Sequence, residues 1–98
     1  MHSADLIGKM IYIFRGGDGR DYLNDLHFLN TDTNQWKLVI SEGDCPPPRA
    51  NHASAVVRNK LFIFGGWDGN KRLNDLYCFD TDIGLWSEVE FIFEIINK

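Results

Sequence analysis

At 98 residues the chain is at most one small domain, and 44% apolar with 24% charged residues is the balance of an ordinary soluble globular protein. A formal net charge of −4 argues against nucleic acid or an anionic membrane as the partner. No apolar run is long enough to span a bilayer, and the opening residues lack the basic-then-apolar order of a secretory leader.

In chain order, residues 3–7 and 10–15 read as a hairpin turning near Gly8 and Lys9. Ile11 to Phe14 is a continuous apolar run of β-formers, the mark of a strand covered on both faces. A polar, glycine-rich loop follows from Gly16 to Leu23, then a third strand over about 25–30, a turn over Thr31–Asn34 and a fourth strand starting near Trp36. Residues 41–52 carry Pro46, Pro47 and Pro48, which cannot sit inside a sheet and favour extended polyproline geometry. Strand signals then return over 53–58 and 60–65 around Asn59. They are followed by a loop from Gly66 to Leu73, a strand over 75–80, a turn over Thr81–Gly84 and a last strand near Trp86. Asn34 and Gly84 mark turn positions of left-handed backbone, since both types tolerate it. No segment keeps a helical apolar period between capping signals. The chain reads as all-β.

The second half restates the first. At an offset of 50 residues, Ile7–Trp36 aligns with Val57–Trp86 without a gap, and 12 of the 30 pairs are identical. Among them are Asp18/Asp68, Gly19/Gly69, the Leu23–Leu26 block against Leu73–Leu76, and Trp36/Trp86. The division is a first repeat over 1–40, a Pro-rich connection over 41–52, a second repeat over 53–90 and an apolar tail over 91–98 that breaks the pattern. At the same offset His2 falls on His52, so the counterpart of Arg49 lies upstream of Met1 and the first repeat reads as starting inside its motif.

A period of about 50 residues with Pro-Arg-x-x-His (Pro48 to His52), a diglycine (Gly65, Gly66), Leu-Asn-Asp-Leu and a late tryptophan resembles the kelch repeat. The resemblance covers the chain up to about Val89. One departure is Arg15, which stands where the first glycine of the pair belongs; Gly16 and Gly17 offer the turn with a one-residue shift. The resemblance implies four-stranded antiparallel blades of a β-propeller, of which this chain carries two. Stacked repeats normally need about three units, so two blades leave an apolar face open. Two readings stand: a piece of a larger propeller, or several copies closing a ring, as three two-blade units would close six blades.

For function, the resemblance implies a protein-interaction module that binds through its second-to-third-strand loops. Arg20, Asp21 and Tyr22 align with Asn70, Lys71 and Arg72, and Gly17 with Trp67. These positions differ between matched repeats, lie on loops, and include the Trp, Tyr and Arg that anchor interfaces. Gly16, Gly17, Gly65, Gly66, Asp25, Asp75, Trp36, Trp86, Arg49 and His52 read as structural: turns, loop hydrogen bonds, inter-blade packing and strand lead-in. Asn24, Asn74, Asp25 and Asp75 are expected to bond loop amides. His2, His27 and His52 form no metal-ligand spacing with Cys45 or Cys78, and no nucleophile–base set is visible, so neither a cofactor nor catalysis is expected. The alternative is a fragment of a propeller enzyme of the galactose-oxidase kind, with its copper site in other blades. The two cysteines suggest no disulfide framework and a reducing compartment, the cytoplasm, with the nucleus also compatible.

Overall fold

A computed structural model of the chain describes residues 2–89; the apolar tail over 91–98 lies outside them. The β-branched and aromatic runs form strands, as such side chains pack well on a pleated surface. Sheet one has β1 (Ser3–Ile7), β2 (Met10–Phe14), β3 (Leu26–Asn30) and β4 (Gln35–Leu38), antiparallel and in sequence order. After β4 comes β5 (Glu42–Gly43), then β6 (Ala53–Val57), β7 (Lys60–Trp67), β8 (Arg72–Asp80) and β9 (Leu85–Val89), with sheet order β5-β9-β8-β7-β6. The all-β, two-blade expectation holds, with four antiparallel strands per repeat.

The connection adds a fifth strand that its sequence does not announce. β5 pairs parallel with β9, Glu42 opposite Leu85 and Gly43 opposite Trp86. The Glu42 amide donates to the Gly84 carbonyl at 3.1 Å and that of Asp44 to the Trp86 carbonyl at 3.1 Å. An otherwise open strand edge is thereby covered. The hairpin turn also differs from its reading. Arg58, not Asn59, takes the positive φ of 57°, the place held in repeat one by Gly8 at 60°. Asn59 instead donates through Nδ2 to Asp80 Oδ1 at 3.0 Å and Asp82 Oδ2 at 2.9 Å, bracing the neighbouring turn. Asn34 and Gly84 do adopt left-handed backbone, at 57° and 68°.

β7 and β8 run further than expected, through Trp67 and from Arg72, with a register shift between Phe64 and Gly66. Gly66 has φ 103°, and a Cβ there would lie 2.5 Å from the Ala50 carbonyl oxygen, so only glycine fits beside the incoming connection. Repeat one needs no one-residue shift: Gly17 faces Tyr22 as Trp67 faces Arg72. Gly16 alone supplies positive φ there, at 72°, while Arg15 keeps ordinary backbone.

Cross-strand partners share a face. Tyr12, Phe14 and Leu26 of sheet one pack against Leu61, Ile63, Phe79 and Trp86 of sheet two in one core. Trp86 meets Phe14 edge-on at 6.1 Å between ring centroids and Phe79 at 5.0 Å, and Tyr12 lies 6.3 Å from Phe79. Each such side chain, fully buried, contributes about 1.5–3 kcal/mol. Leu61 and Ile63, on the inward face of β7, are fully buried, whereas Phe64, on its other face, is 42% exposed.

Candidate functional site

The second-to-third-strand loops are built alike. Asp18 Oδ1 accepts from the amides of Arg20 at 2.9 Å and Asp21 at 2.8 Å; Asp68 Oδ1 accepts from those of Asn70 at 2.9 Å and Lys71 at 2.8 Å. These bonds hold both carboxyls below the ordinary carboxylate value. The acids close the turns with oxygens a cation loop would need. Among the described residues no group of three or more His, Cys, Asp or Glu is placed to hold a metal ion.

With the turns fixed, Arg20, Asp21, Asn70, Lys71 and Arg72 are exposed at the tips, and Tyr22 and Trp67 partly so. The two loops touch. A Cβ on Gly69 would come 2.9 Å from Tyr22 Cε2, so the tyrosine of repeat one lies against the glycine turn of repeat two. Gly19, Arg20, Asp21 and Tyr22 line a small hollow of about 90 Å³. Trp67 and Arg72 line an open concavity of about 660 Å³ together with Phe64, Leu73, Asn51 and Ala53. Phe64 and Asn51 were not among the expected loop contacts; the repeat itself carries the signal for Phe64, whose counterpart Phe14 is fully buried against Trp86 while Phe64 is 42% exposed.

Under this rim, Arg49 is fully buried and each of its three side-chain nitrogens has a hydrogen-bond partner. Its Nε donates to the Pro47 carbonyl at 3.1 Å and Nη1 to that of Gly65 at 3.0 Å. Nη1 and Nη2 fork onto the two carboxylate oxygens of Asp75, the second at 3.0 Å, and the guanidinium lies 5.4 Å over the Tyr77 ring. The expected backbone anchoring is present. Asp75 binds this arginine rather than loop amides, because a buried guanidinium requires a carboxylate more than exposed amides do.

Repeat one solves the same position differently. Asp25, counterpart of Asp75, takes Arg15 Nη1 at 3.2 Å and His27 Nε2 at 2.6 Å on Oδ2, while its Oδ1 is buried without a hydrogen bond. Burial pushes this carboxyl up, but the bonds from His27 and Arg15 outweigh it and leave it below the ordinary value. The apparent misfit Arg15 is thus the local guanidinium for Asp25. Asn24 Nδ2 donates to the Pro46 carbonyl at 2.9 Å, so it holds the connection rather than a loop amide. His52 lies 2.8 Å from Ser3 Oγ and edge-on to Phe14 at 4.9 Å, joining β6 to sheet one. Burial, then the charge of Arg49, lowers its pKa against a smaller opposing pull from Asp5.

The paired tryptophans part company. Trp86 is 2% exposed between the sheets, whereas Trp36 is 57% exposed on the outer side of sheet one. Cys45 and Cys78 are free thiols.

Comparison with known proteins agrees with this architecture. Residues 1–96 match the family model described as the KLHDC2/KLHL20/DRC7 Kelch-repeats domain. Acyl-CoA-binding domain-containing protein 5 of Arabidopsis thaliana is 47% identical over 55 residues, which is 55% of this chain and 8% of that protein. Kelch domain-containing protein 2 of Bos taurus is 42% identical over 53 residues, 53% of this chain and 13% of its own length. Kelch domain-containing protein 3 of Rattus norvegicus is 37% identical over 60 residues, 59% of this chain and 16% of the relative. The matched stretches thus span a small part of each of these relatives. With two blades of matched strand order, a shared loop design and a family match over nearly its whole length, the chain belongs to the kelch-repeat family.

Proposed function

We propose that the chain is a protein-interaction module that presents the rim made by Arg20, Asp21, Tyr22, Trp67, Asn70, Lys71 and Arg72 to a protein partner, in a binding rather than a catalytic role. The contact of Tyr22 with the Gly69 turn carries the reading, because it merges two separate loops into one surface. Capped turns on a rigid double sheet present aromatic and cationic anchors at low ordering cost. Kelch repeats are in general protein-interaction modules, which supports the same conclusion. Two free thiols fit a reducing compartment.

The test is quantitative crosslinking capture with the wild type and with the variant Arg20→Ser/Tyr22→Ser/Lys71→Ser. The captured set should collapse for the variant while its far-ultraviolet circular dichroism is unchanged. Equal capture by the two proteins would exclude the rim.

Exposed apolar side chains among the described residues favour a second reading, in which copies of the chain associate into a ring. Leu6, Trp36 and Leu38 on sheet one and Val57 and Phe64 on sheet two are exposed apolar side chains.

A further inference from the structure

The last strand of repeat one lacks what covers its counterpart in repeat two. β4 holds the same register on β3 as β9 holds on β8, with Trp36 opposite Leu29 and Trp86 opposite Phe79. The backbone groups that β9 turns toward β5 therefore have counterparts on the outer edge of β4. In repeat two the carbonyls of Gly84 and Trp86 accept from the amides of Glu42 and Asp44. In repeat one the equivalent carbonyls belong to Asn34 and Trp36. Among the described residues no strand pairs with that edge and no hydrogen bond reaches either carbonyl. All four residues of β4 are exposed, Trp36 by 57%. An edge of this kind is a template for a further strand.

We infer that the β4 edge receives an extended segment of another protein in which a glycine stands between two acidic residues, added parallel to β4 as β5 is to β9. The occupant is read from β5 and from the residues that change between the repeats. A Cβ on Gly43, at φ 90°, would run into the Trp86 carbonyl oxygen. The Trp36 carbonyl stands at the equivalent place, so the residue opposite Trp36 is a glycine too. Glu42 lies opposite Leu85 and Gly43 opposite Trp86, which brings Asp44 beside Ser87. Fifty residues earlier Leu85 becomes Gln35, whose amide can donate, and Ser87 becomes Lys37, an exposed ammonium. Both flanking positions of the β4 edge thus favour an acid more than β9 does. A second copy of the chain fits poorly. Its own β5 is already paired with β9, and two β4 edges brought together would set one Lys37 against another. β4 lies apart from the loop rim, so the inference does not rest on that reading.

The probe is a free peptide of residues 40–48 carrying Cys45→Ser, titrated into the isotope-labelled full chain up to about 10 mM so that millimolar binding is seen by nuclear magnetic resonance. The backbone amide signals of Trp36 and Leu38 should shift saturably, and hydrogen exchange at Trp36 should slow. The same peptide with Gly43→Ala should produce no shift. Lys37→Glu in the chain should weaken binding of the acidic peptide about two- to fivefold, the range of an exposed ion pair. A peptide with Asp44→Lys should lose affinity for the wild type and regain it on the Lys37→Glu chain. The loop variant Arg20→Ser/Tyr22→Ser/Lys71→Ser should bind the peptide as the wild type does, which separates this outcome from that of the partner-capture test. Absence of a saturable shift at Trp36, equal binding of the Gly43→Ala peptide, indifference to the charge exchange, or loss of binding in the loop variant would each overturn the proposal. So would Trp36 protection that rises with protein concentration when no peptide is present, since a second copy would then hold the edge.

Discussion

Replacing Arg49 by alanine tests the junction between connection and blade. The substitution leaves the carbonyls of Gly65 and Pro47 without their donor and strips Asp75 of its forked partner. Removing one member of a buried ion pair costs about 3–5 kcal/mol. The Asp75 side chain is 23% exposed, so water compensates it in part and the lower end, about 3 kcal/mol, is expected. For a small domain, whose total stability is about 5–15 kcal/mol, that is a large fraction. With a urea slope of about 1–3 kcal/mol per molar, the unfolding midpoint should fall by about 1–3 M, read from tryptophan fluorescence at one fixed protein concentration. Arg15→Ala provides the internal control, since its pair with Asp25 is half exposed and worth at most about 1 kcal/mol. Arg49→Lys keeps the charge but loses the planar fork and should recover less than half of the loss. If Arg49→Ala shifts the midpoint no more than Arg15→Ala, the buried guanidinium does not hold the connection to the second blade and the reasoning fails.

Three further outcomes follow from single residues. Arg58→Gly relieves a left-handed residue at the site where repeat one already has Gly8, and should stabilise by about 0.5–1 kcal/mol, visible as a higher melting temperature. His52 has a lowered pKa in the fold, so the unfolded chain binds the proton more readily; stability should be level above the ordinary value of 6.5 and decline as pH falls below it. His52→Gln should flatten that decline in pH-dependent urea titrations, and an unchanged slope would refute the assignment. Asp68 is held low by the amides of Lys71 and Asn70, so the turn is intact above the ordinary carboxylate range and loosens as pH falls through the lowered value. Asp68→Ala should speed hydrogen exchange of the Asn70 and Lys71 amides at neutral pH, whereas unaltered exchange would show that the carboxylate does not close the turn.

Strand positions, the absence of helix among the described residues and the left-handed turns at Asn34 and Gly84 were legible in the residue pattern, because local backbone preference and the 50-residue repeat speak about local geometry. The loop rim was legible only as a set of mismatched positions, Arg20–Tyr22 against Asn70–Arg72. That Tyr22 rests on the Gly69 turn depends on how the two sheets stack, which no spacing records. Hydrogen-bond partners were misread for the same reason. Asp75 and Asn24 are obvious polar anchors, yet their partners Arg49 and Pro46 are 26 and 22 residues away in sequence and arrive only through the connection.

The sequence by itself determined the repeat, the strands it contains and the residues free to vary on its loops, since these depend on local sterics and on side chains alternating across a strand. Tertiary structure decided which of two identical tryptophans is core and which is surface. Trp86 has sheet one beside it and Trp36 has no sheet beside it within the described chain, and burial is a property of neighbours rather than of residue type.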